Sequence, residues 1–280
     1  MEKTNIPKII HYCWFGGNPL PDSAKECIES WRRFFPDFEI KCWNEASFDV
    51  NSTAFSSKAY AHKKYAFVAD VCRMYALYHE GGIYLDTDML FIKPLPIELL
   101  SEDAFVGWEN EWEVNVAIFG AKKNALVAKD ILSYYERAEF QETNGDISAN
   151  MVIPYIVTEV LKQKGLVING KEQSWMGYAK ILPASYFYPK DYRTGNSEIT
   201  TETIAIHLYD ATWHSDQKRI DALKSQYEMR LFKAVEDLKK YYSAGDIFSM
   251  FYRALHVGTL TLVRSSISKV FRTAKSKLKK

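Results

Sequence analysis

Gly81-Gly82-Ile83-Tyr84-Leu85-Asp86-Thr87-Asp88 is the stretch on which the fold turns. Two glycines stop a helix, three apolar residues form a short strand, and two carboxylates follow one residue apart. Upstream, Lys58 to Glu80 reads as one long helix, with Phe67, Val71, Met74, Leu77 and Tyr78 at helical spacing. Downstream, Met89-Leu90-Phe91-Ile92 continues as apolar strand, Pro94 and Pro96 mark a turn, and Val114 to Gly120 predicts another core strand.

Further out, Ile6 to Phe15 reads as a buried strand ending at Gly16-Gly17. Ser23 to Phe34 is a helix stopped by Pro36, and Phe38 to Trp43 is a second strand. Strand, helix, strand at this spacing is a βαβ unit and points to a parallel sheet. Neither a G-x-G-x-x-G nor a Walker loop occurs. Leu126 to Ala138 and Asn150 to Lys164 have helical patterns, Thr203 to Leu208 is a late apolar strand, and Ser215 to Tyr242 is a charged amphipathic helix. Three segments are therefore expected: a domain over 1–214, a helix over 215–246 packing on or beside it, and a basic tail over 247–280.

The 280 residues are 47% hydrophobic and 25% charged, enough for a sizeable core. Aromatic residues make up 15%. Flat rings suit the C–H face of a sugar, and they equally suit an ordinary core. Cys13, Cys27, Cys42 and Cys72 show no C-x-x-C pair or zinc spacing, so they read as reduced thiols of a cytosolic chain. No signal-peptide pattern opens the sequence, and no run approaches the ~18 apolar residues of a membrane span. Eight basic and no acidic residues lie from Ile247 onward, so a net charge of +1 leaves −7 on the first 246 residues. An acidic body argues against nucleic-acid binding. In the tail, Phe248, Phe251, Leu255, Leu262, Val263, Ile267, Val270, Phe271 and Leu278 fall mostly three or four apart among Arg and Lys. This suits a helix lying on an anionic membrane or packed on protein, and peripheral attachment at the inner face of the plasma membrane is the corresponding expectation.

Residues i and i+2 of an extended segment share a face, so Asp86 and Asp88 can reach one point. Oxygen ligands of this kind favour manganese or magnesium, and a diphosphate can complete the coordination. Asp70 and Arg73 sit one helical turn apart in an apolar stretch, either as an ordinary helix-surface pair or facing a polar ligand. His207 ends the late strand, where it could add a nitrogen ligand or be a satisfied structural residue. Trp213 and His214 follow it and could equally cap the sheet. A haloacid-dehalogenase-like phosphatase with Asp86 as nucleophile is a competing reading, although its usual companion motifs are missing. So is a peripheral membrane protein that binds sugar nucleotides without turnover.

Taken in order, Ile6–Gly16, Ala69–Tyr78 and Gly81–Asp88, with His207–Trp213 more sparsely, resemble the family 32 retaining glycosyltransferases, the Asp-x-Asp sugar-binding-region family. That family includes yeast mannosyltransferases and bacterial capsule and lipopolysaccharide enzymes. The resemblance implies a GT-A fold, a Rossmann-like mixed sheet flanked by helices, here with a C-terminal helical extension. It implies a nucleotide-sugar donor (UDP-linked by preference), a glycan or glycolipid acceptor, and manganese or magnesium as cofactor. On the family pattern Trp14 stacks on the nucleobase with Tyr12 nearby, and Asp70 and Arg73 hold donor hydroxyls, Arg73 near the diphosphate. Tyr84 and Asp86 contact ribose or sugar, and Asp86 and Asp88 take the metal with His207. Trp213 closes over the diphosphate beside His214, and Asn115 lies near the anomeric carbon. Acceptor recognition is expected in 140–200.

Overall fold

The computed structural model describes residues 4–143, 146–147, 151–191 and 196–210. The expected 215–246 helix, the 247–280 tail, Trp213 and His214 lie outside these residues. In chain order the elements are β1 (Ile9–Cys13), α1 (Asp22–Phe34), β2 (Glu39–Trp43), α2 (Ala54–Ala61), α3 (Tyr65–His79), β3 (Gly82–Leu85), β4 (Met89–Phe91) and α4 (Ile97–Leu100). There follow β5 (Ala104–Trp108), β6 (Val114–Ala121), α5 (Leu126–Arg137), β7 (Glu142–Thr143), β8 (Asp146–Ile147), α6 (Ile153–Gln163), β9 (Gln173–Trp175), β10 (Ala179–Leu182), a 3-10 turn (Ala184–Tyr186) and β11 (Ala205–His207).

Seven strands form the main sheet in the order β2-β1-β3-β6-β5-β10-β9, and β11 pairs with β4 in a separate two-stranded sheet. The βαβ unit is present, with β1 parallel to β2 and α1 crossing between them. The sheet is mixed, as the GT-A expectation has it, and so departs from the parallel sheet that the βαβ unit alone suggests. β6 runs antiparallel to both β3 and β5, because a tight turn joins β5 directly to β6 and only antiparallel strands can be joined so closely. β1, β2, β3, β5 and β10 all point the same way, so the loops leaving them gather on one edge. Ligands of open α/β sheets bind at that carboxyl edge.

The long helix expected from Lys58 to Glu80 is two helices, α2 and α3. Lys63 takes a left-handed backbone conformation, φ 56°, and breaks the run. α2 has its own start, a capping box between Thr53 and Ser56. α3 packs against β1, β3 and β6 and also against α2 and α5. It is therefore buried on several faces, Asp70 and Arg73 included.

Gly81 and Gly82 do more than end α3. Gly82 has φ 115°, and a Cβ there would lie 2.6 Å from the Ile9 carbonyl oxygen. Close by, Trp43 Nε1 donates to His11 Nδ1 (3.0 Å), so His11 carries its proton on Nε2 and donates to the Gly81 carbonyl (2.7 Å). This chain of contacts pins β2, β1 and the start of β3 together. Side chains alternate across the sheet, Ile10 into the core on the α1 side and Cys13 into the core on the α3 side.

Five strands were not expected from the sequence: β5, β9 and β10 in the main sheet, and the short β7–β8 pair. Of these, β9 and β10, with α6, make much of 151–182 scaffold.

Candidate active site

The register between β5 and β6 slips between Phe105 and Gly107, a bulge that lies beside the carboxylate turn. Beside it, two β6 carbonyls take partners outside the β5–β6 pairing. Ala117 O accepts the Asp86 backbone N–H (2.7 Å), and Val116 O accepts from Arg73 Nη1 (3.0 Å). Two side chains cover the amides the bulge leaves over: Asn115 Oδ1 accepts from Ala117 N (2.7 Å), and the Tyr188 hydroxyl accepts from Ile118 N (3.2 Å). Asn115, expected near the anomeric carbon, is buried with its oxygen committed to this backbone contact.

Asp70 and Arg73 are not a helix-surface pair. Their side chains are 7% and 6% exposed. Arg73 Nη2 reaches Asp70 Oδ1 at 2.9 Å and Asp86 Oδ1 at 3.2 Å, and the guanidinium lies 4.4 Å over the Tyr84 ring. Burial raises the Asp70 carboxyl to about 7, with the Arg73 charge opposing and that of Asp86 adding to the rise. Tyr84, expected at the ribose or sugar, is buried under Arg73 and donates its hydroxyl to Asp86 Oδ1 (2.9 Å). In this geometry Asp70, Arg73 and Tyr84 orient Asp86 from behind. The phosphatase reading loses ground for the same reason, since Arg73 and Tyr84 together engage both oxygens of its proposed nucleophile.

Asp88 is held by the late strand. Leu208 N donates to its carbonyl (2.9 Å), His207 Nε2 donates to Oδ1 (3.1 Å) and Asp210 N to Oδ2 (3.0 Å). Tyr209 has φ 58°, a strained conformation for a non-glycine residue, where the segment folds back on Asp88. Its ring packs 4.0 Å from the His207 ring, and Tyr188 meets the same imidazole edge-on at 5.8 Å. Burial works to raise the Asp88 carboxyl, and the His207 contact and the Asp210 amide outweigh it, leaving Asp88 below its ordinary value. Burial likewise works to lower His207, and the surrounding Asp88, Asp86 and Glu109 carboxylates raise it instead.

One ligand atom from each of Asp86, Asp88 and His207 lies within 4.8 Å of the others. Two carboxylates and an imidazole are a donor set for manganese or magnesium. The residues fit a divalent cation.

Trp14 leaves β1, one strand from β3 on the same edge. Its Nε1 donates to the Asn18 carbonyl (2.6 Å), which fixes the ring. Gly16 follows with φ 92° and its N–H on Glu45 Oε1 (2.7 Å); a Cβ there would meet the Tyr65 ring at 2.4 Å. Tyr12 packs on the α1 side of β1, its ring 5.9 Å from Trp31, and burial together with Cys42 raises its hydroxyl to about 12. Sequence reading did not reach Glu109, Tyr188 or Tyr209. Only Tyr209 carried a signal, by its place two residues after His207.

The mixed seven-stranded sheet flanked by helices, with a carboxylate turn at its carboxyl edge, agrees with the GT-A expectation. Residues 21–106 match the family model described as "Glycosyltransferase sugar-binding region containing DXD motif", a span that takes in Asp70, Arg73, Asp86 and Asp88. The chain is similar to Subversion of eukaryotic traffic protein A of Legionella pneumophila, 22% identical over 84% of this chain and 43% of that protein. It is also similar to inositol phosphoceramide mannosyltransferases 1 and 3 of Schizosaccharomyces pombe. The first is 29% identical over 40% of this chain and 39% of the relative, the second 35% identical over 31% and 26%. The chain thus spans less than half the length of these curated relatives. Among solved structures, the PaToxG glycosyltransferase aligns with TM-score 0.45 and 20% identity over 57% of this chain and 69% of that one. A glycosyltransferase involved in glycosylation of the major capsid of PBCV-1 aligns with TM-score 0.42 and 14% identity over 77% and 98%.

Proposed function

We propose that this chain is a metal-dependent retaining glycosyltransferase that moves a hexose or N-acetylhexosamine from a nucleotide sugar to a glycan or glycolipid acceptor. The observation that carries the reading is the meeting of Asp86, Asp88 and His207, from the β3–β4 turn and β11, at the carboxyl edge of the sheet. The family-model match over 21–106 supports the same reading.

A divalent cation held by those three residues would neutralise the charge that builds on a leaving diphosphate. The chain's own groups then have distinct parts. Trp14 offers a fixed ring to the nucleobase. Asp70, Arg73 and Tyr84 hold Asp86 in one orientation, and the 207–210 segment does the same for Asp88. The donor carbon becomes oxocarbenium-like as the diphosphate departs. Attack by the acceptor on the face just vacated retains configuration and needs no protein nucleophile.

UDP-hexoses and their N-acetyl forms are the first donors to test. GDP-mannose stands beside them because two relatives are named mannosyltransferases. Those relatives' inositol phosphoceramide also supports a lipid-linked acceptor. The fuller proposal, a surface polysaccharide in assembly approached with 247–280 on the membrane's inner face, rests on the basic, amphipathic pattern of that tail. The test is acceptor-free hydrolysis of a donor panel with manganese. One donor should be cleaved in preference to the rest, and loss of metal should stop it. Release of phosphate from simple monoesters, with every nucleotide sugar left intact, would overturn the reading.

A further inference from the structure

The β5–β6 turn was not part of the expected site, yet the topology puts it on the working edge. It leaves the C-terminal end of β5, which points the same way as β1 and β3. In the strand order, β1 and Trp14 lie on one side of β3, and β5 lies on the other, beyond β6. At ~4.8 Å per strand, β5 stands about 10 Å from β3. A donor with its base on Trp14 and its diphosphate at Asp86 and Asp88 therefore directs its sugar away from β1, toward this turn.

The turn is rigid. Asn110 Oδ1 accepts from both Trp112 N (2.8 Å) and Glu113 N (3.0 Å), and Glu109 N donates to the Glu113 carbonyl (2.9 Å). Behind it, Trp108 Nε1 donates to the Lys171 carbonyl (2.7 Å). On this fixed base Trp112 is 66% exposed. An open indole on a fixed backbone has two χ angles to order and so loses little entropy when a flat partner stacks on it. Glu111 and Glu113 flank Trp112 and the turn holds no basic residue, a composition that repels anions and accepts hydroxyl protons, while Glu109 is engaged with Asn115 and Tyr209.

Building on the transferase reading above, we propose that the 109–113 turn is the acceptor subsite. Trp112 is the platform for an uncharged sugar ring, and the flanking carboxylates select against acidic sugars. The element that recognises the acceptor is then the β5–β6 turn, in place of the 140–200 stretch expected from the sequence.

The test uses the full chain labelled with 5-fluorotryptophan, with the Trp112 signal assigned by its loss in Trp112→Phe. Neutral trisaccharides (maltotriose, cellotriose, mannotriose) and a triglucuronate are titrated as probes. The Trp112 fluorine resonance is expected to shift with at least one neutral trisaccharide and not with the triglucuronate. With that trisaccharide as acceptor, Trp112→Ala should raise its KM by about tenfold or more, as for a lost aromatic anchor, and lower the ratio of transfer to donor hydrolysis. A resonance unmoved by every neutral probe, a stronger response to the triglucuronate, or an unchanged KM in Trp112→Ala overturns the assignment. If the wild type hydrolyses no donor, the transferase reading fails instead, and the fluorine titration still reports on Trp112.

Discussion

Asp88 is gripped from three directions, by the Leu208 amide, the His207 ring and the Asp210 amide, and so has little freedom to choose its orientation. Asp88→Asn keeps an oxygen for the Asp210 amide but removes the charge a divalent cation needs. Donor turnover should fall by about a hundredfold or more, with the thermal midpoint nearly unchanged. Calorimetric metal titration beside the donor assay checks both parts. Asn115 is the opposite kind of residue, polar and near the chemistry yet occupied with backbone. Asn115→Ala strands the buried Ala117 amide and should cost about 1–3 kcal/mol in urea denaturation. His11 gives a pH signature. Burial lowers it below its ordinary 6.5, so the unfolded chain binds the proton more readily. Its contribution is complete above about pH 6.5 and is lost as pH falls toward the folded value. The urea midpoint should therefore drop between about pH 7 and pH 5, and that drop should be smaller in His11→Asn.

At the level of elements, the readable parts were those with local punctuation. Gly81-Gly82 announced the end of α3 and the start of β3, and the apolar run before Asp86 announced an interior strand. Their tightness can be tested. Gly82→Ala puts a methyl 2.6 Å from the Ile9 carbonyl oxygen at φ 115°, so it should destabilise by at least about 2 kcal/mol and separate β1 from β3. A thermal midpoint within a degree or two of wild type would contradict that. What stayed illegible depends on distant partners. The break between α2 and α3 falls at Lys63, a residue type with no preference for the left-handed region it occupies. β5 hides behind Gly107, which reads as a strand weakener. In the fold it is required because Phe187 and Tyr188 approach within 2.9 Å of where a Cβ would stand. The β6 bulge is a mismatch between two strands, invisible in either one. The same holds for Asp70 and Arg73. Their spacing showed that they share a helix face, and only the burial of α3 against both sheet and helices shows that they serve Asp86.

For the whole molecule the sharpest feature is how charge is divided along the chain. The first 246 residues carry −7, and 247–280 carry eight basic residues with no acidic one. A body of that charge is repelled by an anionic surface, so any attachment to such a membrane must come from the tail. At about 1 kcal/mol per basic residue near the surface, eight residues are ample to overcome the repulsion at low salt, and the attraction should fade as the Debye length shrinks. No helix among the described residues is long and apolar enough to cross a membrane. The full-length chain should float with phosphatidylserine-containing liposomes at low salt and stay behind at high salt. A full-length variant carrying Lys275→Glu, Lys277→Glu, Lys279→Glu and Lys280→Glu should not float at either, while hydrolysing its soluble donor at the wild-type rate. Equal flotation of the two proteins would show that the basic residues do not hold the chain to the bilayer. The apolar residues from Phe248 to Leu278 would then be read as packing on protein.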